Sequence, residues 1–324
     1  NEYGHQSLAG YDMWRRWLTD DDMEYCYTAL AAEPPAGVDK RRPEDDPFAV
    51  HQKNARGYAI IRDYMEREVP VPDNLREYIY MSQLVQADGI RMAIEAHRRN
   101  RPFTMGSIYW QLNDCWPVTS WSGMDYPFGY KALHYFVRDA FAPTVLSLNA
   151  DERSGKVELW GVTDELREKR GEYTLTLMTF GGDTLSCRRD LFSIAPGSSV
   201  KLFESSADVL LGGADPCKTL LVCTGSIDGE QVRTSLLFRP YKELELPEAD
   251  IKIVSVEKCA DCQRVTLEAA GFAKAVVLEP SVRQTDNASD AYFDMLPKER
   301  KTVTLYLEDN TADADYRIRR LFSF

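Results

Sequence analysis

Two short stretches of the chain combine acidic, amide and aromatic side chains. The first, "NEYGHQS", contains Glu2 beside a tyrosine and a glycine. The second, "TMGSIYWQLNDCWPV", brings Trp110, Asn113, Asp114 and Trp116 within a few residues of one another. Tryptophan faces next to amide and carboxylate groups suit a sugar ring, whose C–H face stacks on the indole while its hydroxyls take hydrogen bonds. The four downstream residues are therefore candidates for carbohydrate binding, and Glu2 is the candidate catalytic carboxylate.

A simpler interpretation of each residue stays open at this point. A single glutamate near a chain end is most often a solvated carboxylate. Trp110 and Trp116 could be core residues, and Asn113 and Asp114 could do no more than terminate a strand. The residue types alone do not decide between these interpretations.

Other hydrolytic chemistries find less support in the sequence. There is no G-x-S-x-G motif for a serine hydrolase, and the 4 histidines form no H-E-x-x-H zinc motif. The odd number of cysteines, 7, argues against a full disulfide framework. Cys259 and Cys262 in "EKCADCQ" have zinc-ligand spacing but lack a second pair, and they lie between two strand-like runs. A tight turn is the favoured interpretation of this pair.

The bulk composition bounds the class of protein. A length of 324 residues predicts two or three domains, and 44% hydrophobic residues is ordinary for a globular chain. The net charge of −12 disfavours a nucleic-acid partner, because phosphate binding needs a basic surface. No apolar run approaches the length of about 18 residues that a membrane-spanning helix needs, so we expect no membrane partner.

The first 142 residues alternate between helical and strand-like patterns. Apolar spacing predicts helices in "VHQKNARGYAIIRDYMERE", in "PDNLREYIYMSQLVQADGIRMAIEAHRRN", where Pro72 and Asp73 start the helix, and in "YKALHYFVRDAFA". The β-prone run around "SIYW" stops in a loop, as a buried strand does. Helix, strand, loop and helix in this order is typical of a βα-barrel.

Two further segments of this region have simple interpretations. "AAEPPAGVDKRRPEDDP" is rich in proline and charge and predicts an exposed loop. Trp14 and Trp17 in "MWRRW" are three residues apart on a predicted helix, and packing is the favoured role for both.

After Pro143 the helical period disappears and short strands separated by turn residues take its place. The strand-like runs are "TVLSLNA", "KVELWGVT", "YTLTLMTF", "SVKLFE", "TLLVCTGSI" and "RTSLLFRP", then, after a connector "YKELELPEAD", "IKIVSVEK", "RVTLEAA", "AVVLEPS", "KTVTLYLE" and "YRIRRLF". This pattern predicts two antiparallel β-sandwiches, at 143–241 and 246–324.

Several of these stretches together resemble the C-terminal part of the β-mannosidases of glycoside hydrolase family 2. They are "NEYGHQS", "HQKNARGYAIIRDYM", "SDAYFDMLP" and the long run from "YIYMSQLVQADGIRMAIEAHRRNRPFTMGSIYWQLNDCWPV" to "KALHYF". The resemblance covers most of residues 1–142, and "YWQLNDCWPV" is its most specific part. It implies an α/β plus all-β chain: the C-terminal remnant of a (β/α)8 TIM barrel, strands seven and eight with their helices, followed by two immunoglobulin-like β-sandwich domains.

The resemblance also implies roles for individual residues. Glu2 matches the catalytic nucleophile at the end of barrel strand seven, and Trp110 matches a tryptophan that lines the mannose subsite on strand eight. Asn113, Asp114 and Trp116 are expected to bind substrate beside it. At His5 the family more often has an aromatic residue.

The function implied is removal of terminal non-reducing β-D-mannose, with retention of configuration, from an oligosaccharide or glycoconjugate. A retaining site uses two carboxyl groups about 5–5.5 Å apart, one as nucleophile and one as acid/base, and needs no metal or organic cofactor. Glu2 would be ionised and its partner would have a raised pKa. In the family that partner lies in an N-E segment well upstream, so we expect a C-terminal fragment that is inactive alone.

Two alternatives stay open. An exo-β-glucosaminidase shares the implied architecture, and the fragment could instead be a non-catalytic carbohydrate-binding or structural β-sandwich module. The N-terminal region would also be incomplete as a barrel, so we expect exposed apolar faces at Tyr58, Ile61, Leu84 and Met92. The remainder of the enzyme, or another copy of the chain, is expected to cover them.

Overall fold

The computed structural model describes residues 2–30, 44–126, 128–151, 153–311 and 313–322. It divides into two compact units, Asn1–Met92 with Ile108–Arg138 and Ala93–Ser107 with Asp139–Phe324. The first unit is built mainly of helices, and the second is mostly β-sheet.

Among the residues that the structure describes, six helices and two short strands belong wholly or mainly to the first unit. The helices are α1 Tyr11–Trp17, α2 Asp20–Leu30, α3 Pro47–Val50, α4 Gly57–Glu68, α5 Leu75–Arg99 and α6 Ala132–Ala140. The strands β1 Glu2–Tyr3 and β2 Ile108–Tyr109 pair in parallel. A pair of two-residue strands does not define a barrel, and the predicted (β/α)8 remnant stays a prediction.

The predicted helix over 50–68 begins only at Gly57, because polar side chains compete for the backbone before it. Gln52 Oε1 accepts the Asn54 N–H at 3.0 Å, and Asn54 Oδ1 accepts the Arg56 N–H at 3.0 Å. Such side-chain bonds favour turns over a helix. In α5, by contrast, Asn74 caps the first turn by accepting the Glu77 N–H at 2.9 Å.

The predicted exposure of the helical faces is partly wrong. Ile61 and Leu84 are fully buried, because the rest of the chain covers the faces of α4 and α5 on which they lie. Tyr58 is half-buried, and its hydroxyl is 3.3 Å from Thr119 Oγ1. Met92 alone of the four is strongly exposed, at 62%.

The remaining predictions for this region have mixed outcomes. Trp14 is buried, as expected, whereas Trp17 on the next turn of α1 is half-exposed, with Tyr126 at 6.0 Å between ring centroids. Packing is therefore the role of Trp14 only. The predicted exposed loop lies largely outside the described residues, since 31–43 are not among them.

The first sandwich of the second unit has two antiparallel sheets, in the orders β3-β4-β7 and β6-β5-β8-β9. Its strands are β3 Thr144–Asp151, β4 Lys156–Thr163, β5 Lys169–Thr179, β6 Thr184–Ile194, β7 Ser199–Ser206, β8 Thr219–Ile227 and β9 Glu230–Leu237, with helix α7 Ala207–Leu211 after β7. Side chains alternate inward along the central strands, and Val157, Leu159, Leu175, Leu221 and Cys223 form the core.

The second sandwich has sheets in the orders β10-β11-β14 and β13-β12-β15. Its strands are β10 Ile251–Lys258, β11 Gln263–Ala269, β12 Ala273–Pro280, β13 Phe293–Met295, β14 Arg300–Leu305 and β15 Tyr316–Arg319. The core contains Val265, Leu267, Val276, Val303 and Leu305. The two sandwiches are immunoglobulin-like, and this part of the predicted fold is confirmed.

The sequence did not predict β6, which is an edge strand of its sheet. Most of its side chains are exposed, including Leu191 at 82%, so its sequence lacks the alternation that marks a half-buried strand. The three-residue β13 was also missed, because a run of that length gives no periodic signal.

Candidate functional site

The two candidate stretches meet through the backbone of β1 and β2. Glu2 is paired with Ile108 and Tyr3 with Tyr109, and the Trp110 N–H donates to the Tyr3 carbonyl at 2.8 Å. The backbone of Glu2 therefore lies on the strand next to the one that leads into Trp110. The predicted adjacency of these two segments is confirmed at the level of the backbone.

Trp110 has a half-exposed side chain, at 50%, at the end of β2. The Trp110–Gln111 peptide bond is cis, and the Gln111 N–H donates to the Trp121 carbonyl at 3.1 Å. Gly4 allows β1 to pass close by, because a Cβ there would lie 2.7 Å from the Trp110 carbonyl oxygen and 2.8 Å from Trp121 Cδ1. A half-exposed indole at a strand end is a surface on which a sugar ring could stack.

Asp114 has a different role from the one its sequence context suggested. Its side chain is buried, and Oδ2 accepts hydrogen bonds from Ser120 Oγ at 2.7 Å and Ser122 Oγ at 2.6 Å. Oδ1 accepts from Gln111 Nε2 at 3.1 Å. Asp114 therefore orders the loop after β2 instead of presenting a free carboxylate. Asn113 beside it is exposed, and its Nδ2 donates to the Asp114 carbonyl at 3.3 Å.

Trp116 belongs to an aromatic cluster with His51. The two rings stack at 5.4 Å between centroids with an interplanar angle of 19°, and the Lys53 ammonium lies 4.8 Å from the indole centroid. His51 Nδ1 is 2.7 Å from the Pro117 carbonyl, which fixes the imidazole. The Trp14 ring meets His51 edge-on at 5.6 Å. Trp116 is thus half-buried by packing, and Trp110 is the more accessible of the two predicted tryptophans.

The segment that follows β1 is held by buried polar side chains of α5. Ser7 Oγ donates to Gln86 Oε1 at 2.6 Å, and Gln86 Nε2 donates to the His5 carbonyl at 2.7 Å. Gln83 Nε2 donates to the Leu8 carbonyl at 3.1 Å. These bonds fix the direction of the backbone that continues from Glu2, because each is short and has a defined geometry.

Two charged side chains are buried in the same region. Lys131 Nζ donates to the Ser7 carbonyl at 3.3 Å, and the Asp125 carboxylate accepts the N–H groups of Gly10 at 2.8 Å and Gly129 at 2.9 Å. Burial raises the pKa of Asp125 to about 6 and lowers the pKa of Lys131 to about 8. The attraction of Asp114 and Asp125 for the ammonium opposes the lowering at Lys131.

No motif in the sequence predicts this set of buried polar contacts. One signal was present, since Ser82, Gln83 and Gln86 interrupt the otherwise apolar face of α5 at helical spacing. We name Ser7, Gln83, Gln86, Asp125 and Lys131 the buried polar network.

His5 lies at the border of the buried polar network. Its ring is tilted against Tyr64, with centroids 4.5 Å apart. Burial, and to a smaller extent the positive charge of Lys131, lower the pKa of His5 to about 4. The imidazole is therefore neutral near neutral pH, so the region around Glu2 gains no positive charge from it.

Among the described residues, no three His, Cys, Asp or Glu side chains come together in a group that could hold a metal ion. Within the same residues, no helix is both long and apolar enough to cross a membrane.

Comparison with known proteins places this architecture among glycoside hydrolase relatives. Residues 155–243 match the family model "Mannosidase Ig/CBM-like domain", and residues 246–323 match an "Ig-fold domain" of the mannosidases. The crystal structure of a β-D-mannosidase from Dictyoglomus thermophilum superposes with a TM-score of 0.77 and 25% identity, covering 98% of this chain and 37% of that one. An exo-chitosanase from Amycolatopsis orientalis, 15% identical with a TM-score of 0.75 over 98% of this chain and 40% of its own, shares the fold.

The curated relatives of this chain include several proteins named β-mannosidase. β-Mannosidase A of Emericella nidulans is 22% identical over 98% of this chain and 35% of its own length, and the β-mannosidase of Capra hircus is 28% identical over 67% and 24%. The chain is a relative of the β-mannosidases of glycoside hydrolase family 2. It spans between 24% and 37% of the length of these β-mannosidases and 40% of the exo-chitosanase.

Proposed function

We propose that this chain contributes the nucleophile and part of the sugar-binding surface of a retaining β-mannosidase. The observation that carries the proposal is the parallel pairing of Glu2 with Ile108, which brings the candidate carboxylate segment next to Trp110. The substrate class is a β-mannoside oligosaccharide or glycoconjugate, by analogy with the names of the curated relatives.

In this proposal Glu2 attacks the anomeric carbon as a carboxylate, and a second carboxyl group about 5–5.5 Å away protonates the leaving oxygen and then activates water. Asp114 and Asp125 are buried and occupied by hydrogen bonds, so neither is a suitable acid/base. We propose that polypeptide outside these 324 residues supplies it. This chain covers only 35% of the length of β-mannosidase A of Emericella nidulans, so the relatives contain polypeptide that could carry the acid/base residue.

The sugar contacts are assigned from exposure and hydrogen bonding. Trp110 would stack on the mannose ring, and the exposed Asn113 would donate to a hydroxyl. Trp116 would border the site from its cluster with His51. Asp114 would act indirectly, by holding the loop that carries Trp110 and Asn113.

The proposed domains are residues 1–142 as the end of a catalytic (β/α)8 barrel, and sandwiches at 143–241 and 246–324. Support for an incomplete barrel comes from apolar side chains with high exposure on and around β2. They include Ile108 at 69% and Leu112 at 53%. We propose that the remainder of the enzyme, or another copy of the chain, covers this surface.

The test compares the full-length gene product with the 324-residue chain. We expect the full-length protein to hydrolyse p-nitrophenyl β-mannoside faster than the β-glucosaminide, and Glu2→Gln to abolish this activity. Glu230→Gln, at an exposed position of β9, is the matched control and should leave activity unchanged. Full activity in Glu2→Gln would overturn the assignment of the nucleophile.

The isolated chain is expected to be inactive on β-mannobioside, whose leaving group needs protonation. Loss of a positioned acid typically costs about 10²–10⁴-fold in rate. Turnover by the 324-residue chain that disappears in Glu2→Gln would instead mean that a carboxyl group within it serves as the acid.

A further inference from the structure

The hairpin between β10 and β11 contains two cysteines that no part of the proposed glycosidase chemistry uses. The last pair of the ladder is Lys258 with Gln263, so residues 259–262 close the hairpin. The Cys259 N–H donates to the Cys262 carbonyl at 2.8 Å. The predicted tight turn is confirmed, with a cysteine at each end of it.

This turn brings the two cysteines within the range of a disulfide bond. Residues at the first and fourth positions of a β-turn have Cα atoms less than about 7 Å apart, and a disulfide needs a Cα separation of about 4.4–6.8 Å. The neighbouring Cys259 side chain raises the pKa of the Cys262 thiol. Both are free thiols in the structure, with Cys262 buried and Cys259 partly exposed.

The ends of the hairpin are fixed to a neighbouring loop. Lys258 Nζ donates to the Thr311 carbonyl at 2.8 Å and pairs with Asp313 at 2.7 Å. Gln263 Nε2 donates to the Asn310 carbonyl at 2.8 Å. Because both residues that flank the turn are anchored, bringing the two sulfur atoms together costs little additional conformational entropy.

We propose that Cys259 and Cys262 form a reversible intramolecular disulfide bond with each other. The oxidant is a small-molecule disulfide such as oxidised glutathione. The thiolate of Cys259, the more exposed sulfur, attacks one sulfur of the oxidant, whose S–S bond breaks and releases one molecule of glutathione. The thiolate of Cys262 then attacks Sγ of Cys259, forms the Sγ–Sγ bond and releases the second. The two cysteine protons pass through solvent to the two departing thiolates, and two electrons reduce the oxidant.

The consequence of this bond is local to the edge of the second sandwich. β10 is an edge strand, and most of its side chains, including Val254 and Val256, are exposed. A disulfide that closes so short a loop removes little entropy from the unfolded chain. It does tie the end of β10 covalently to β11, which opposes opening of the edge strand.

The experiment equilibrates the purified chain with increasing ratios of oxidised to reduced glutathione, followed by acid quenching, denaturation and alkylation. Trypsin releases residues 259–264 as one peptide, which contains both cysteines and no other. We expect the oxidised peptide to escape alkylation and to be two hydrogen atoms lighter than the free dithiol, and to become doubly alkylated once dithiothreitol has reduced it. The exposed Cys115 and Cys187 serve as internal references for simple thiol reactivity.

Two variants test the order of the steps. Cys262→Ser should accumulate glutathione on Cys259, and Cys259→Ser should react more slowly, because its remaining thiol is buried. In the wild-type protein, hydrogen exchange of residues 251–258 should be slower in the oxidised form. Persistent glutathionylation of wild-type Cys259, or oxidation of residues 259–264 no earlier than Cys115 and Cys187, would overturn the proposal.

Discussion

The interior around β1 and the interiors of the two sandwiches are built from different chemistry. The buried polar network places Ser7, Gln86, Asp125 and Lys131 inside the first unit, each with hydrogen-bonding partners. The sandwich cores contain aliphatic side chains such as Leu159 and Leu267, with zero exposure. The polar contacts around β1 are directional, whereas the two sandwich core clusters are apolar, and the second sandwich in addition buries Arg319, which is paired with Glu279.

This difference suggests what each region is for. Apolar burial is favourable in proportion to area and has no preferred direction, so it stabilises a fold without orienting a particular backbone segment. Buried polar groups gain little net stability but are costly when unpaired, so they specify one arrangement. The buried polar network therefore orients the backbone that continues from β1, which apolar burial alone would not do.

The largest effect is expected from removing the buried charge at Lys131. Lys131→Met leaves Asp114 and Asp125 without their ammonium and should cost about 3–5 kcal/mol of the first unit's stability, as breaking a buried pair does. Urea unfolding can follow this unit by fluorescence, because Trp14, Trp17, Trp110, Trp116 and Trp121 belong to it.

The matched control is Lys156→Met, at a lysine whose side chain is 51% exposed and pairs with Glu204 at 2.6 Å. It should cost less than about 1 kcal/mol. An equal loss of unfolding free energy in the two variants would mean that Lys131 does not stabilise the buried carboxylates of Asp114 and Asp125.

The second prediction concerns the apolar interior. Leu267→Ala removes a fully buried side chain from β11 and should destabilise the second sandwich by about 2–5 kcal/mol. Leu191→Ala, on the exposed edge strand β6, should change stability by no more than about 0.5 kcal/mol. Hydrogen exchange resolved by peptide measures both. A similar loss at Leu191 would indicate that β6 is covered in solution.

The third prediction isolates one hydrogen bond of the buried polar network. Ser7→Ala leaves Gln86 Oε1 without its donor and should cost about 1–3 kcal/mol. Ser193→Ala, at an exposed position of β6, is the control and should be nearly neutral. If Ser7→Ala also left the unfolding free energy unchanged, a water molecule would be replacing the hydroxyl, and this part of the first unit would be accessible to solvent.

The smallest effect is a pH dependence confined to the first unit. Because the pKa of His5 is lowered from 6.5 to about 4, its contribution to stability is full above pH 6.5 and is lost as the pH falls towards 4. Asp125, with a pKa raised from 3.8 to about 6, acts in the opposite direction: its contribution is full below pH 3.8 and is lost as the pH rises through 6.

Comparison of the wild type with His5→Gln separates the two contributions. The variant should lose less stability than the wild type as the pH falls from 6.5 to 4, because it no longer has a proton to take up at this position. Exchange of the β11 amides should follow the same curve in both proteins. A difference between them in β11 would show that the effect is not local to the first unit.

The sequence by itself determined most strands of both sandwiches and the helical character of the N-terminal region. Strands such as β4 and β8 could be predicted because alternating or continuous apolar residues record which face is buried. β6 could not, since an exposed edge strand is not required to alternate. The resemblance around "YWQLNDCWPV" also led to the correct expectation that the segments of Glu2 and Trp110 are neighbours.

Only the tertiary structure decided which polar residues are inside. Lys131 lies far along the chain from Ser7, whose carbonyl it meets, and no local pattern marks either residue as buried. The same is true of Asp114, which in sequence looks like a ligand for substrate and in the structure orders a loop through Ser120 and Ser122. Apolar burial produces a periodic pattern in the sequence. In a helix about one residue per turn must face inward, and in a strand every second residue must do so. A hydrogen-bonded interior depends on single pairings between distant segments, and these exist only once the chain has folded.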